Sequence, residues 1–206
     1  MTAVPIVLPV PALVALVGAA GSGKTTLAER LFEPSEILSS DALREVVGGD
    51  AADQRATRAA FAILHRETRR RLEAGRLVVV DATNVERSAR LVLQRMARLT
   101  GVPAIAIVII GPAGEIHRRN AARIGRVVPP EIVDRHLARL AMLGPDPGRI
   151  RAALVTEGFA TVHVVATADE ARSISIARVV GSDGRRATRD QGDRDAGQDD
   201  PDEMAP

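Results

Sequence analysis

Gly18-Ala19-Ala20-Gly21-Ser22-Gly23-Lys24-Thr25 reads G-x-x-x-x-G-K-[ST], a loop whose backbone N–H groups can point inward at phosphates. Among 28 basic residues Lys24 is the single lysine; the others are all arginine. A compact ammonium slips between β- and γ-phosphate oxygens, where a planar guanidinium fork is too broad. Thr25 adds a hydroxyl for Mg²⁺, and Thr26 opens the helix that follows. The spacing assigns Gly18, Ala19, Ala20, Gly21, Ser22, Gly23, Lys24, Thr25 and Thr26 to the binding of ATP·Mg²⁺.

Three more clusters are suited to act on such a donor. In Ser39-Ser40-Asp41-Ala42-Leu43-Arg44, Asp41 and Arg44 are three apart, on one face of a short helix that Ser40 is expected to cap. A carboxylate beside the γ-phosphate accepts the proton of an attacking hydroxyl; a nearby arginine holds an anionic group of the acceptor bidentately. The plainer alternative is a capped helix with a solvated arginine. Asp81 closes the run Leu77-Val78-Val79-Val80, the place of an acid that positions Mg²⁺ or its waters. With Ala82, Thr83 and Asn84 it also reads as an N-cap cluster, and the two roles are compatible. Arg119, Arg123 and Arg126 lie at i, i+4 and i+7, a stripe that suits a lid stabilising charge on a transferring phosphoryl. Taken alone, such a run is more often a solvated face. His65 and His163 read as packing residues, and His117 and His136 are given no role.

These clusters need a scaffold. Residues 12–17 form a continuous apolar run typical of a strand buried on both faces, and 25–31 form a helix whose N-terminus meets the loop. Strands are expected at 36–38, 77–80, 104–110 and 161–165. Between them fall helices at 54–74 (capped by Gly75), 86–100 (stopped at Gly101), 112–124 and 131–143. Another is expected at Pro147–Glu157 behind Asp146. Thr167 and Glu170 spell a capping box for a last helix to about Ala177. Alternation of this kind predicts an α/β fold: a P-loop NTPase-type parallel sheet of about five strands, helices on both faces, and a helical lid at about 113–143.

Composition narrows the classes. There is no cysteine, which excludes disulfides and thiolate metal sites and fits a cytoplasmic location. The formal net charge of +2 hides an asymmetry: residues 181–206 hold four Arg against eight acids, while residues 1–180 are net basic. A basic body suits an anionic ligand. Residues 181–206 offer almost nothing to a core and read as a disordered acidic tail behind a domain spanning 1–180. The first 17 residues are apolar, yet they lack a positive leader, contain Pro5, Pro9 and Pro11, and run into the P-loop strand, so export is not expected. No apolar run reaches membrane-spanning length. With three Phe and neither Trp nor Tyr, a polynucleotide contact would rest on Arg–phosphate pairing, with one Phe or Arg plane against a base.

Over roughly residues 12–166 the chain resembles the 5′-hydroxyl polynucleotide kinases, and especially the kinase module of bacterial polynucleotide kinase-phosphatases that repair RNA. The likeness rests on Gly18–Thr25, on Leu38-Ser39-Ser40-Asp41 with Arg44, and on Leu72-Glu73-Ala74-Gly75 leading into Val79–Asn84. It continues through Arg119-Asn120, Arg123 and Arg126 to Glu157-Gly158-Phe159. The resemblance implies a kinase in which Lys24 and Thr25 handle ATP·Mg²⁺ and Asp41 is the general base for a ribose 5′-OH. Arg44 would grip the acceptor's adjacent phosphate, and Arg119, Arg123 and Arg126 would contact donor phosphates. Family modules are often fused to a phosphatase or a ligase; this chain has no D-x-D-x-T pair and no metallophosphatase His/Asp cluster, so a stand-alone kinase is expected. The runner-up is a small-molecule kinase of the same architecture, similar to gluconate, shikimate or antibiotic kinases. A third reading is a slow ATPase acting as a binding or regulatory module. RNA against DNA, a homodimer and a partner for the tail are left open.

Overall fold

The computed structural model describes residues 5–48, 54–123 and 127–180. Strand β1 (Ile6–Val10) stands apart from the sheet built by β2 (Leu13–Val17), β3 (Ile37–Ser39), β4 (Val78–Asp81), β5 (Ala104–Ile109) and β6 (Thr161–Val165). Those five are parallel throughout, in the order β3-β4-β2-β5-β6. Side chains alternate between faces every second residue, so one apolar strand feeds two cores. Leu13, Ala15 and Val17 join Val78, Val80, Ala106 and Val108 on one face. Val14 and Leu16 join Val79, Ile105 and Ile107 on the other. This is the α/β architecture expected of the sequence.

Helices cover both faces. α1 (Lys24–Leu31) sends Leu27 and Ala28 into the second core. α2 (Ser40–Val47) is capped by Ser39, whose side chain accepts from the Ala42 N–H, so the cap is one residue earlier than expected. Ser39 still has extended backbone as the last residue of β3, which is the geometry an N-cap needs. α3 (Gln54–Glu73) buries Ala60, Leu64, Thr68 and Leu72, and Gly75 closes it at φ 71°. α4 (Arg87–Leu99) buries Leu93, Met96 and Ala97 but leaves Leu99 exposed. α5 (Ala113–Ala121) and α6 (Pro130–Ala141) follow, joined by His117 Nε2 and Asp134 Oδ1 at 2.8 Å. α7 (Pro147–Glu157) starts behind Asp146, which caps the Arg149 N–H.

The C-terminal part departs from expectation. α8 (Ala168–Ser173) has its capping box but ends four residues short of Ala177. Ile174 turns extended, and β7 (Ile176–Val180) pairs in parallel with β1, Ile6 opposite Ile176. Neither apolar end had an evident partner in the sequence; each supplies the other's ladder, and Ile6 and Leu8 become core. Arg126 and the acidic segment 181–206 lie outside the described residues. Among the described residues, no helix is long and apolar enough to cross a membrane.

Candidate active site

The P-loop leaves β2 at the centre of the sheet and turns into α1. Its shape depends on glycine at two points. A Cβ on Gly18 would stand 2.8 Å from the Ile109 carbonyl, so β5 packs directly on the loop. Gly21 has φ +82°, and a Cβ there would lie 2.5 Å from the Ile116 carbonyl on α5. Only glycine combines this left-handed backbone with that approach. The loop is thus clamped between β5 and α5.

Lys24 is buried, and its Nζ donates to the Gly18 and Ala19 carbonyls at 3.0 and 2.8 Å. Burial lowers its pKa to about 8; the nearby Asp81 carboxylate opposes that shift, and Arg123 adds to it. Asp81 is buried at the end of β4, where desolvation raises its pKa against the opposing effects of Thr25 and Lys24. Thr25 Oγ1 donates to Asp81 Oδ2 at 2.8 Å. Two oxygen donors side by side suit a hard divalent cation that keeps much of its water. Among the described residues no cluster of three or more acids or histidines could hold a metal alone, so these two would share it with phosphate oxygens. Ser22 Oγ is buried without a hydrogen-bond partner among the described residues, a polar atom inside the loop that an anion could satisfy. These features fit a triphosphate with its cation.

Opposite stands α2. Arg44 Nη1 donates to Asp41 Oδ1 at 2.6 Å, and Arg123, just past α5, reaches Asp41 Oδ2 at 3.5 Å. The Arg44 guanidinium also lies over the Phe61 ring, 5.6 Å from its centroid. Arg119 is half-exposed and paired with Glu115 at 2.9 Å. A cavity of about 480 Å³ brings Lys24, Thr25, Thr26, Asp41, Arg44, Asp81, Arg119 and Arg123 together, with Ala20, Gly21 and Gly23. Gly18, Ala19 and Ser22 sit behind it rather than in its lining.

Residues without an expected site role also shape the cavity. Phe61 and His136 line it. The Ala20 N–H donates to His136 Nδ1 at 3.4 Å, and burial, with Lys24 and Arg135, lowers the His136 pKa. Nothing in the sequence assigns Phe61 or His136 a part in the site. Asn84 (φ 47°) donates Nδ2 to the Leu16 carbonyl at 2.8 Å and ties the β4 loop to β2. Asn120 bonds Val128 through both amide atoms and ties α5 to the residue two before α6 begins. Buried Arg90 holds the Asn84 and Val85 carbonyls while forking onto Glu157. Nothing in the sequence flagged that pair, because its partners are 67 residues apart.

Residues 13–143 match the AAA domain family. The chain belongs to that family. No curated protein matches it in sequence. Among solved structures it is similar to a gluconokinase from Sinorhizobium meliloti 1021, at 21% identity and a TM-score of 0.51, over 81% of this chain and 90% of that one. A Pnkp1/Rnl/Hen1 RNA repair complex matches at 23% identity and a TM-score of 0.54, over 66% of this chain and 45% of that one. Kti12 from Chaetomium thermophilum, solved with ADP-AlF3, matches at 18% and 0.54, over 78% and 93%. At such identities the likeness is one of fold.

Proposed function

We propose that this domain is an ATP-dependent kinase that transfers the γ-phosphoryl of ATP to the 5′-hydroxyl end of a polynucleotide. The observation that carries this reading is the juxtaposition of two unlike walls in one cavity: Lys24 with the Thr25–Asp81 pair on one side, Asp41 with Arg44 on the other. A slow ATPase serving as a switch needs the first wall alone. Mg²⁺ held near Thr25 and Asp81 would neutralise charge on the donor phosphates. Lys24, drawn from its loop carbonyls, meets the same charge. Asp41 takes the proton of the acceptor hydroxyl as its oxygen bonds to the γ-phosphorus and the bond to the β-phosphate oxygen breaks, releasing ADP. Arg44 and Arg123 already converge on Asp41, so an anionic group of the acceptor enters a site built of guanidinium donors.

A small-molecule acceptor such as a sugar is the second reading, favoured by a cavity of only about 480 Å³ to hold the donor's phosphates and the acceptor together. Incubation with labelled ATP and Mg²⁺, beside 5′-OH RNA and DNA oligonucleotides, 3′-nucleoside monophosphates and a panel of sugars, separates the two. Label on oligonucleotide ends is expected. Label on a sugar alone gives the second reading, and ADP release with no labelled acceptor removes both.

A further inference from the structure

A second cavity, of about 430 Å³, opens beside the first and shares Ile132 and His136 with it as a common wall. Its remaining lining is Glu86, Arg135, Ala138, Arg139 and Met142. Two cations outnumber one carboxylate there. Arg139 Nε meets Glu86 Oε1 at 3.1 Å, joining α6 to the start of α4, and Arg139 Nη1 lies 3.8 Å from Met142 Sδ. Arg135 is exposed and takes part in no ion pair among the described residues. Ile132, Ala138 and Met142 supply apolar surface, Met142 being 75% exposed.

This lining suits one kind of occupant. It contains no neutral hydroxyl or amide side chain, and cations dominate its polar groups. Guanidinium groups beside polarisable apolar surface match a phosphodiester and the face of a base. The volume falls in the range of a site for one nucleotide. Its position favours the acceptor: Glu86 follows the β4 loop, where Asp81, Ala82 and Thr83 line the first cavity in the half of the sheet that also carries Asp41.

We propose that this second cavity is an extended acceptor subsite, in which Arg135 and Arg139 bind a backbone phosphate of the strand beyond its reacting end while Met142 and Ile132 support a base. The proposal rests on the polynucleotide kinase reading and names how that site would tell a strand from a single nucleotide.

Two measurements test it. The first is KM for 5′-OH mono-, di- and trinucleotide acceptors, all bearing a 3′-phosphate. The second is binding of a fluorescent 5′-OH oligonucleotide without ATP, followed against salt. KM should fall about tenfold or more from mononucleotide to trinucleotide, as expected of an added charged contact. The R135A/R139A double variant should erase most of that gain and make the salt dependence of binding shallower by about 1 in log–log slope. KM for the mononucleotide, KM for ATP and the melting temperature should stay unchanged, since both arginines are exposed. A length gain that survives in R135A/R139A overturns the proposal, as does a KM for ATP that rises instead, which would give the cavity to the donor. Transfer to 5′ ends with no length dependence overturns the subsite and leaves the kinase reading standing. Oligonucleotide binding weakened by R135A/R139A but never followed by transfer overturns the kinase reading and the acceptor role with it, leaving the cavity a strand-binding site. Absence of both binding and transfer removes both.

Discussion

Lys24 lies buried in a loop clamped between β5 and α5, whereas Asp41, across the same cavity, leaves 44% of its side chain in solvent and is approached by Arg44 of α2 and by Arg123 just past α5. On the donor wall most of the shape is backbone: glycines in close approach, carbonyls holding an ammonium, a strand end presenting Asp81. On the acceptor wall it is side chains on α2, α3 and α5. Backbone geometry repeats wherever a strand, a loop and a helix recur, so in the proposed kinase the donor wall would specify a triphosphate and little else. Long arginines can exchange partners, so in the proposed kinase substrate choice would lie on the acceptor wall.

The largest test of this contrast is Lys24→Met, proposed to lower transfer by about 10³–10⁵-fold, since a positioned cation at the phosphoryl group is worth that much. The same substitution should raise the melting temperature of the ligand-free protein at neutral pH. Lys24 is destabilised by burial, so its charged form burdens the fold until it deprotonates. Between about pH 8, its folded pKa, and pH 10.5, its ordinary value, the unfolded chain binds more protons than the folded one, and stability rises with pH. Thermal unfolding across that window should show the rise in the wild type and lose it in Lys24→Met. An unchanged or lower melting temperature in the variant would mean that the two carbonyl contacts outweigh desolvation.

Asp41→Asn comes next: transfer should fall by roughly 10²–10⁴-fold while equilibrium binding of ATP stays within a few-fold of wild type. A loss of ATP affinity as large as the loss of rate would return Asp41 to a structural part. Arg119→Ala should cost roughly 10–100-fold in turnover, the worth of a hydrogen bond to a charged group in the transition state. Near-normal rates would leave Arg119 as the solvated partner of Glu115.

The smallest effect is in protons. Above pH 8 free Lys24 is partly neutral, and a triphosphate favours its charged form, so ATP binding should take up a fraction of a proton between about pH 8 and 9. Titration calorimetry in buffers of different ionisation enthalpy measures it. No uptake in the wild type would place the triphosphate away from Nζ.

Much of this was legible in the chain. The five strands of the main sheet and the helix behind Asp146 follow from apolar runs, period and capping chemistry, all local properties. The P-loop was legible for the same reason, because eight consecutive residues specify it. The sequence also placed Asp41 three residues before Arg44, which on a helix is enough to pair them. Residues whose meaning depends on distant partners were not legible. Phe61 and His136 have no role to read in the sequence until α2 and the P-loop arrive beside them. Arg90 looks like surface charge until Glu157 is brought to it. The pairing of β1 with β7 joins segments at opposite ends of the domain, and α8 stops at Ser173 because a strand partner is available beyond it. Spacing and local propensity suffice to put a glycine-rich loop behind a buried strand, with an acid and an arginine near it. Tertiary structure alone decided that Arg123 reaches Asp41, that burial depresses the Lys24 pKa, and that a second basic cavity adjoins the first. Those depend on which helices meet across the sheet, and desolvation and ion pairing act only once the chain has closed around them.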